Sequence, residues 1–188
     1  GTNGGTVGFG IKENNFMGKG VKLSSDITVS EETIKGLFMF NDPNYKGTNR
    51  ALNFSAESSV TDKLKNYGYK SSKTGLSIGS GFEYYDNLFL STSVSSFIES
   101  IETDSTASAS IAKQKGSFFD TYLNYTVDYD KRNQKFQPSD GYRSKFTQKI
   151  PLLSDNYSLK NIYDYKFYNE WSEKNITSLG FYASTVNS

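Results

Sequence analysis

The chain has 188 residues, with 21 Lys and Arg against 20 Asp and Glu, and neither His nor Cys. This excludes disulfides, thiolate and imidazole metal sites and His-based acid–base catalysis, and the net charge of +1 supplies no strong field for nucleic acid. Only 35% of residues are hydrophobic, yet 14 Phe and 14 Tyr are too many aromatics for a disordered chain, and no apolar run nears the ~18 residues of a membrane helix.

What recurs from end to end is alternation with period two, the mark of strands with unlike faces. The spacing predicts ten strands: Thr6–Asn14, Val21–Ser30, Thr33–Asn41, Ala51–Val60, Thr74–Tyr85, Leu88–Ile101, Phe118–Asp130, Tyr142–Leu152, Tyr157–Tyr168 and Ile176–Ser184. In the second, Val21, Leu23, Ile27 and Val29 share one face, and Lys22, Ser24, Asp26, Thr28 and Ser30 the other. In the seventh, Phe119, Thr121, Leu123, Tyr125, Val127 and Tyr129 oppose Asp120, Tyr122, Asn124, Thr126, Asp128 and Asp130. Between them Asn15–Gly20, Asp86–Asn87 and Ser154–Asn156 read as short connectors, Thr61–Lys73 and Glu102–Ser117 as long polar ones. Lys131–Gly141 is intermediate and ends in Pro138-Ser139-Asp140-Gly141, where Pro sets φ and Asp-Gly supplies a tight bend. No amphipathic helix, linker or second domain appears. The first residue is Gly rather than Met and no charged-then-apolar leader follows, which points to a fragment or processed product.

Alternation alone leaves open which face is wet. A soluble β-sandwich buries its apolar faces, whereas a membrane barrel turns them to lipid. Three features favour the membrane. The strands match the ~9–11 residues needed to cross a bilayer obliquely. Aromatics gather near strand ends, among them Tyr45, Tyr67, Tyr69, Tyr84, Tyr85, Tyr129, Tyr142, Tyr157, Tyr168 and Trp171, with Phe9 and Phe16 early in the chain. The apolar faces are also diluted by Ser, Thr, Gly and Asn, which makes a poor interlocking core.

No catalytic, cofactor or metal constellation emerges. Paired carboxylates occur at Glu31-Glu32 and at Glu99, Glu102 and Asp104, and the latter three fall at the base of a loop and read as solvated charge. Asp128-x-Asp130 begins like a calcium loop, but its sixth and twelfth positions are Asn133 and Ser139 rather than Gly and Glu. No Gly-Lys-Ser/Thr phosphate loop is present. Asp128 and Asp130, with Lys131 and Arg132 beside them, read as an ion-pair network at a lumen or rim. The run Arg143, Lys145, Lys149, Lys160 and Lys166, interleaved with Phe146, Tyr163 and Tyr165, reads as a hydrated face opposed by Asp164 and the acidic seventh strand, not as a base-stacking platform.

Three motifs in order resemble the BamA-type surface-antigen family of outer-membrane assembly and translocation barrels. Gly4 to Gly20, ending Glu13-Asn14-Asn15-Phe16-Met17-Gly18-Lys19-Gly20, resembles that family's strand end and tight periplasmic turn. Phe40-Asn41-Asp42-Pro43-Asn44-Tyr45 is similar to its (N/D)P-x-(Y/F) turn, and Asp128 to Arg132 followed by Phe136 to Gly141 to its D-x-R … P-(T/S)-x-G turn. The resemblance implies an all-β, antiparallel up-and-down transmembrane wall of about ten strands belonging to a sixteen-stranded barrel. It implies strands two to eleven, with the upstream POTRA domains and the remaining strands lying outside this sequence. It places the quoted turns at the periplasm and the connectors after even strands outside the cell. The implied role is insertion of other β-barrels into the outer membrane of a Gram-negative bacterium, without active site or cofactor. Implied partners are outer-membrane lipid, unfolded barrel clients and accessory assembly lipoproteins. Gly18, Gly20, Pro43, Pro138, Asp140 and Gly141 are then structural turn residues, with Asp130 and Arg132 as a rim pair, and Gly141 is expected at positive φ. Secretion transport by the same superfamily is the alternative role. A soluble β-sandwich adhesin or carbohydrate-binding module is the alternative of another class.

Overall fold

A computed structural model describes residues 5–155, 157–173 and 175–187. Ten strands form a single antiparallel sheet in strict chain order. They are β1 (Thr6–Phe16), β2 (Val21–Ser30), β3 (Thr33–Asp42), β4 (Ala51–Lys63), β5 (Tyr69–Tyr85), β6 (Leu88–Thr103), β7 (Gly116–Asp130), β8 (Gly141–Ser154), β9 (Leu159–Ser172) and β10 (Asn175–Asn187). Single-turn helices α1 (Leu64–Tyr67) and α2 (Ala109–Ala112) and a 3-10 turn at Tyr45–Gly47 sit in connectors. No second layer packs on either face of this sheet among the described residues.

Every strand expected from the alternation is present, and the principal departure is at one rim. Thr61–Lys73, expected as a long loop, is mostly strand: β4 runs on to Lys63 and β5 starts at Tyr69, pairing Thr61 with Ser71 and Lys63 with Tyr69. The reason is chemical. Where a strand rises into water both its faces are polar, so the alternation that marks a strand fades while the ladder continues. Only Leu64–Gly68 is left as connector, closed by Gly68 in the left-handed conformation at φ 70°.

Register sets the faces, because directly opposed residues in an antiparallel pair point the same way. Ile11 opposes Ser25, Ser25 opposes Phe38, Phe38 opposes Ala56, and Ala56 opposes Leu76. The line continues through Ser96 to Thr121. One face therefore carries Val7, Phe9, Ile27, Val29, Phe54, Ile78, Val94, Leu123, Tyr125, Phe146, Tyr163 and Phe181. The opposite face carries Lys35, Glu57, Lys73, Asp120, Lys149 and Asp164. Val7, Phe9 and Ile11 are 73%, 67% and 63% exposed, so this greasy face is bare. Val21, at the start of β2, is buried, but Leu23, Leu123 and Tyr125 are half-exposed with nothing stacked over them.

Charged residues interrupt the apolar face only near strand ends: Glu13 and Asp42 at one rim, Asp62, Lys70 and Glu102 at the other. Those last three stand opposite one another as an alternating row across β4, β5 and β6. Between rims, Ser72 to Phe82 on β5 spans about 33 Å along the strand at ~3.3 Å per residue. At a ~40° tilt this gives about 25 Å of height, the apolar band of outer-membrane barrels. β8 carries Pro151, which donates no ladder hydrogen bond, and the register slips between Thr121 and Tyr122, where Pro151 pairs with Tyr122.

Candidate functional site

Two features of the wall are candidates for function: the bare apolar face, and the rim of turns that follows the odd-numbered strands. The rim is built from residues that accept left-handed backbone. In the β1–β2 turn Met17, Gly18 and Gly20 take φ of 55°, 70° and 69°. Asn15 closes it, its carbonyl accepting from the Gly18 amide at 3.0 Å and its side-chain oxygen from the Gly20 amide at 2.7 Å. After β3, Pro43 leads into the 3-10 turn. There the Asp42 carboxylate accepts from the Asn44 amide at 3.0 Å, and the Asn44 side chain from the Asn49 amide at 2.8 Å.

The connector Lys131–Asp140 is the most densely hydrogen-bonded part of this rim among the described residues. Asp130 and Arg132 form a bidentate pair, with Nε and a terminal nitrogen of the guanidinium each 2.7 Å from the carboxylate, and both side chains are about nine-tenths buried at 11% and 10% exposed. This contact with Asp130 holds the Arg132 guanidinium above its ordinary pKa. Asn133, which in the sequence stands out only as the wrong residue for a calcium loop, organises the loop. Its side-chain oxygen accepts from the amides of Ser139 and Asp140 at 3.2 and 3.3 Å, its side-chain nitrogen donates to Ser139 Oγ at 2.8 Å, and its own amide donates to the Asp140 carbonyl at 3.0 Å. Pro138 follows Gln137 at φ 48°, and Gly141 closes the turn at φ 94° against the backbone of Lys131 and Arg132.

A second pair lies just inside, on the polar face. Arg143 Nε donates to Asp128 at 2.8 Å, with a second bond from the same guanidinium at 2.5 Å. Register brings this about: Arg143 stands opposite Asp130 and reaches diagonally to Asp128, whose direct partner is Lys145. Of the two cations beside this cluster, Arg132 pairs with Asp130. Lys131 instead lies 5.6 Å over the Tyr129 ring, and the Tyr129 hydroxyl holds its ammonium above the ordinary lysine pKa. Further along the polar face Lys149 sits 3.5 Å from the centre of the Tyr122 ring, and Lys73 lies 4.3 Å over Phe97 while pairing with Glu57 at 3.6 Å. Three-carboxylate or mixed metal clusters do not form among the described residues.

At the same rim, on the apolar face, rings line up. Tyr84 meets Phe82 at 6.3 Å, and Tyr142 meets Tyr129 and Tyr165 at 5.9 and 6.1 Å. Such rings suit the headgroup level, where the ring is in lipid and the hydroxyl in water. Phe9, in contrast, lies within β1 rather than at its end.

The other rim is held by its connectors. Gly68, at φ 70°, packs against Asp104 and Thr106, and its carbonyl accepts from the Asp104 amide at 2.9 Å. The amide and hydroxyl of Thr106 donate to the Asp104 carboxylate at 2.7 and 2.6 Å, keeping it below the usual carboxylate range. Glu99, on the polar face of β6, and Glu102, on the apolar face, do not converge on Asp104.

Residues 15–187 match the Omp85 superfamily domain. The chain belongs to the Omp85 superfamily. Among solved structures it is similar to "The crystal structure of BamA from Haemophilus ducreyi lacking POTRA domains 1-3", with a TM-score of 0.71 and 16% identity. The match covers 95% of this chain and 38% of that one, so the chain spans well under half of the neighbour's length. No curated protein matches the chain. Omp85 membership and this fold make the chain an antiparallel barrel wall of the Gram-negative outer membrane, from a group of assembly and transport proteins.

In an Omp85 wall the two faces have fixed solvents. Hydrocarbon cannot satisfy buried charge, so the face whose central band lacks charge meets lipid and the polar face a watery lumen. The Asp130–Arg132 pair then stands where the wall leaves the membrane. Arg132→Gln is expected to cost about 2 kcal/mol, the scale of a charged hydrogen-bonded pair. Asp130→Asn combined with it should add little further, which a double-mutant cycle of urea unfolding in detergent would show.

Proposed function

We propose that this chain is wall of an assembly barrel, which folds and inserts other β-barrel proteins into the outer membrane. The observation that carries the reading is the likeness of the ten-stranded wall to a BamA barrel over 95% of the chain, joined to a lipid-facing band free of charge. No catalysis is required. A client strand would pair with a free barrel edge, so main-chain hydrogen bonds template its entry and spare its backbone from unsatisfied exposure to hydrocarbon. The ordered turns at Gly18, Gly20, Pro43, Pro138, Asp140 and Gly141 would hold the wall stiff while another part of the barrel opens. Clients are unfolded β-barrel chains, and accessory lipoproteins are further proposed partners.

The test is reconstitution of the full gene product into phospholipid vesicles with a urea-unfolded small barrel as client. Assembly predicts that the client becomes protease-protected and heat-modifiable faster than in empty vesicles. A secretion transporter would leave that rate unchanged and pass a soluble partner across instead, and that result would overturn the proposal.

A further inference from the structure

The polar face of the wall changes its charge with height. Register lays the residues of that face out in rows. One row crosses from Lys22 on β2 through Asn53, Ser93 and Asn124 to Lys149 and Lys160 on β8 and β9. The row above it runs from Lys12 to Tyr122, and the row below from Ala51 to Ile162. Among the described residues the charges of these three rows are Lys12, Lys22, Lys149 and Lys160, with neither Asp nor Glu. The acids of the polar face begin immediately outside them. Asp26, Glu57 and Asp120 stand in the next row up, and Glu83, Asp128 and Asp164 in the next row down. Asp120 and Asp128 bracket the belt on β7, about 26 Å apart along the strand at ~3.3 Å per residue.

Within this belt Lys149 and Lys160 stand directly opposite each other. Like charges so placed repel, and a sheet gains nothing from them by itself. Both are half-buried, and among the described residues neither they nor Lys12 and Lys22 make an ion pair. The flanking acids are engaged elsewhere. The Asp120 carboxylate accepts from the Ser154 hydroxyl, Asp128 holds Arg143, and Asp164 stands opposite Lys145. Lys73, which also repels Lys149, is paired with Glu57. The Tyr122 ring fixes the Lys149 ammonium against the wall. Between the two ends of the row the surface is neutral and hydrogen-bonding: Asn41 pairs with Asn53, and Asn124 donates to Ser93 and Ser95. Cations spaced over an amide- and hydroxyl-lined surface, with acids kept away, are the means by which pores attract anions and let them pass.

We infer that Lys149 and Lys160 bind a small inorganic anion within the lumen and bias the passage of ions through the barrel toward anions. The inference rests on the polar face lining water and does not depend on whether the barrel assembles or exports proteins.

The experiment is planar-bilayer recording of the full gene product across a KCl gradient, with chloride as the probe. The reversal potential of the wild type should take the sign of chloride permeation. Lys149→Gln combined with Lys160→Gln should lower the chloride-to-potassium permeability ratio about threefold, the scale of a unit charge a few ångströms away in water. Lys149→Arg combined with Lys160→Arg, which keeps both charges, should leave the ratio near that of the wild type. So should Lys65→Gln, which lies in the exposed connector between β4 and β5. Heat-modifiable migration verifies that each variant is folded. If the Gln pair misfolds, Lys12→Gln combined with Lys22→Gln, at exposed positions of the same belt, should shift the ratio in the same direction. Potassium preference in the wild type, no conductance at all, or an unchanged ratio in the Gln variants would overturn the inference. The unchanged ratio would mean that carboxylates from another segment of the protein already hold these lysines.

Discussion

Gly141→Val is expected to lower the stability of the folded wall by about 3 kcal/mol, the upper range for a strained backbone position. Two effects combine. The residue sits at φ 94°, which a β-branched side chain resists. A Cβ there would also collide with the Lys131 carbonyl oxygen and lie 2.9 Å from Arg132 Cα, both main-chain atoms that cannot swing aside. Relief would require moving the connector that holds the Asp130–Arg132 pair and the hydrogen bond from the Lys131 amide to the Tyr142 carbonyl, 2.8 Å long. Gly180→Val is the control, since nothing lies within 4 Å of its Cβ position and its backbone is ordinary. Urea unfolding in detergent should separate the two variants clearly. Matching midpoints would mean that the turn gives way without cost.

Leu123→Arg is expected to destabilise the membrane-inserted protein by about 2–4 kcal/mol, the cost of a cation near the bilayer midplane on the lipid face of a barrel. Leu123 is mid-strand in β7, opposite Val94 and Ile150, both apolar. Thr126→Arg, three residues on and on the other face, should be tolerated, because Thr126 lies between Asn124 and Asp128 on a polar face. Refolding yield into lipid vesicles is the readout. A reversed order, with Thr126→Arg the harmful change, would mean that the faces are assigned backwards.

Much of this was legible in the residues, for a physical reason. Strands in a one-layer wall have two different solvents, so their side chains must alternate, and Val21–Ser30 and Phe119–Asp130 announce themselves without any partner. Gly18, Gly20 and Gly141 were legible only through the resemblance of their turns to the family motifs, and they take positive φ. What escaped was whatever depends on register or on water at both faces. Thr61–Lys73 looked like loop because its strand portion is wetted on both sides. The partner of Asp128 could not be named before β7 and β8 were aligned, because Arg143 is only a diagonal neighbour. Asn133 was invisible because its role lies in meeting amides six and seven residues ahead, a loop geometry with no short-range pattern. An Asn just after Asp-x-Arg and ahead of Ser-Asp-Gly is the signal that could have drawn attention to it.

The central claim is that one face of the sheet meets acyl chains and the other water. The chain has no native cysteine, so single cysteines can be placed at Leu123, Asn124, Tyr125, Thr126 and Val127 and each labelled with a nitroxide. Power saturation in a lipid bilayer would then compare collisions with oxygen, which concentrates in hydrocarbon, and with a water-soluble nickel chelate. Strict alternation is expected, with oxygen dominant at the odd positions and the chelate at the even ones. Uniform inaccessibility to both at Leu123, Tyr125 and Val127 would contradict it, because those side chains would then be packed inside protein.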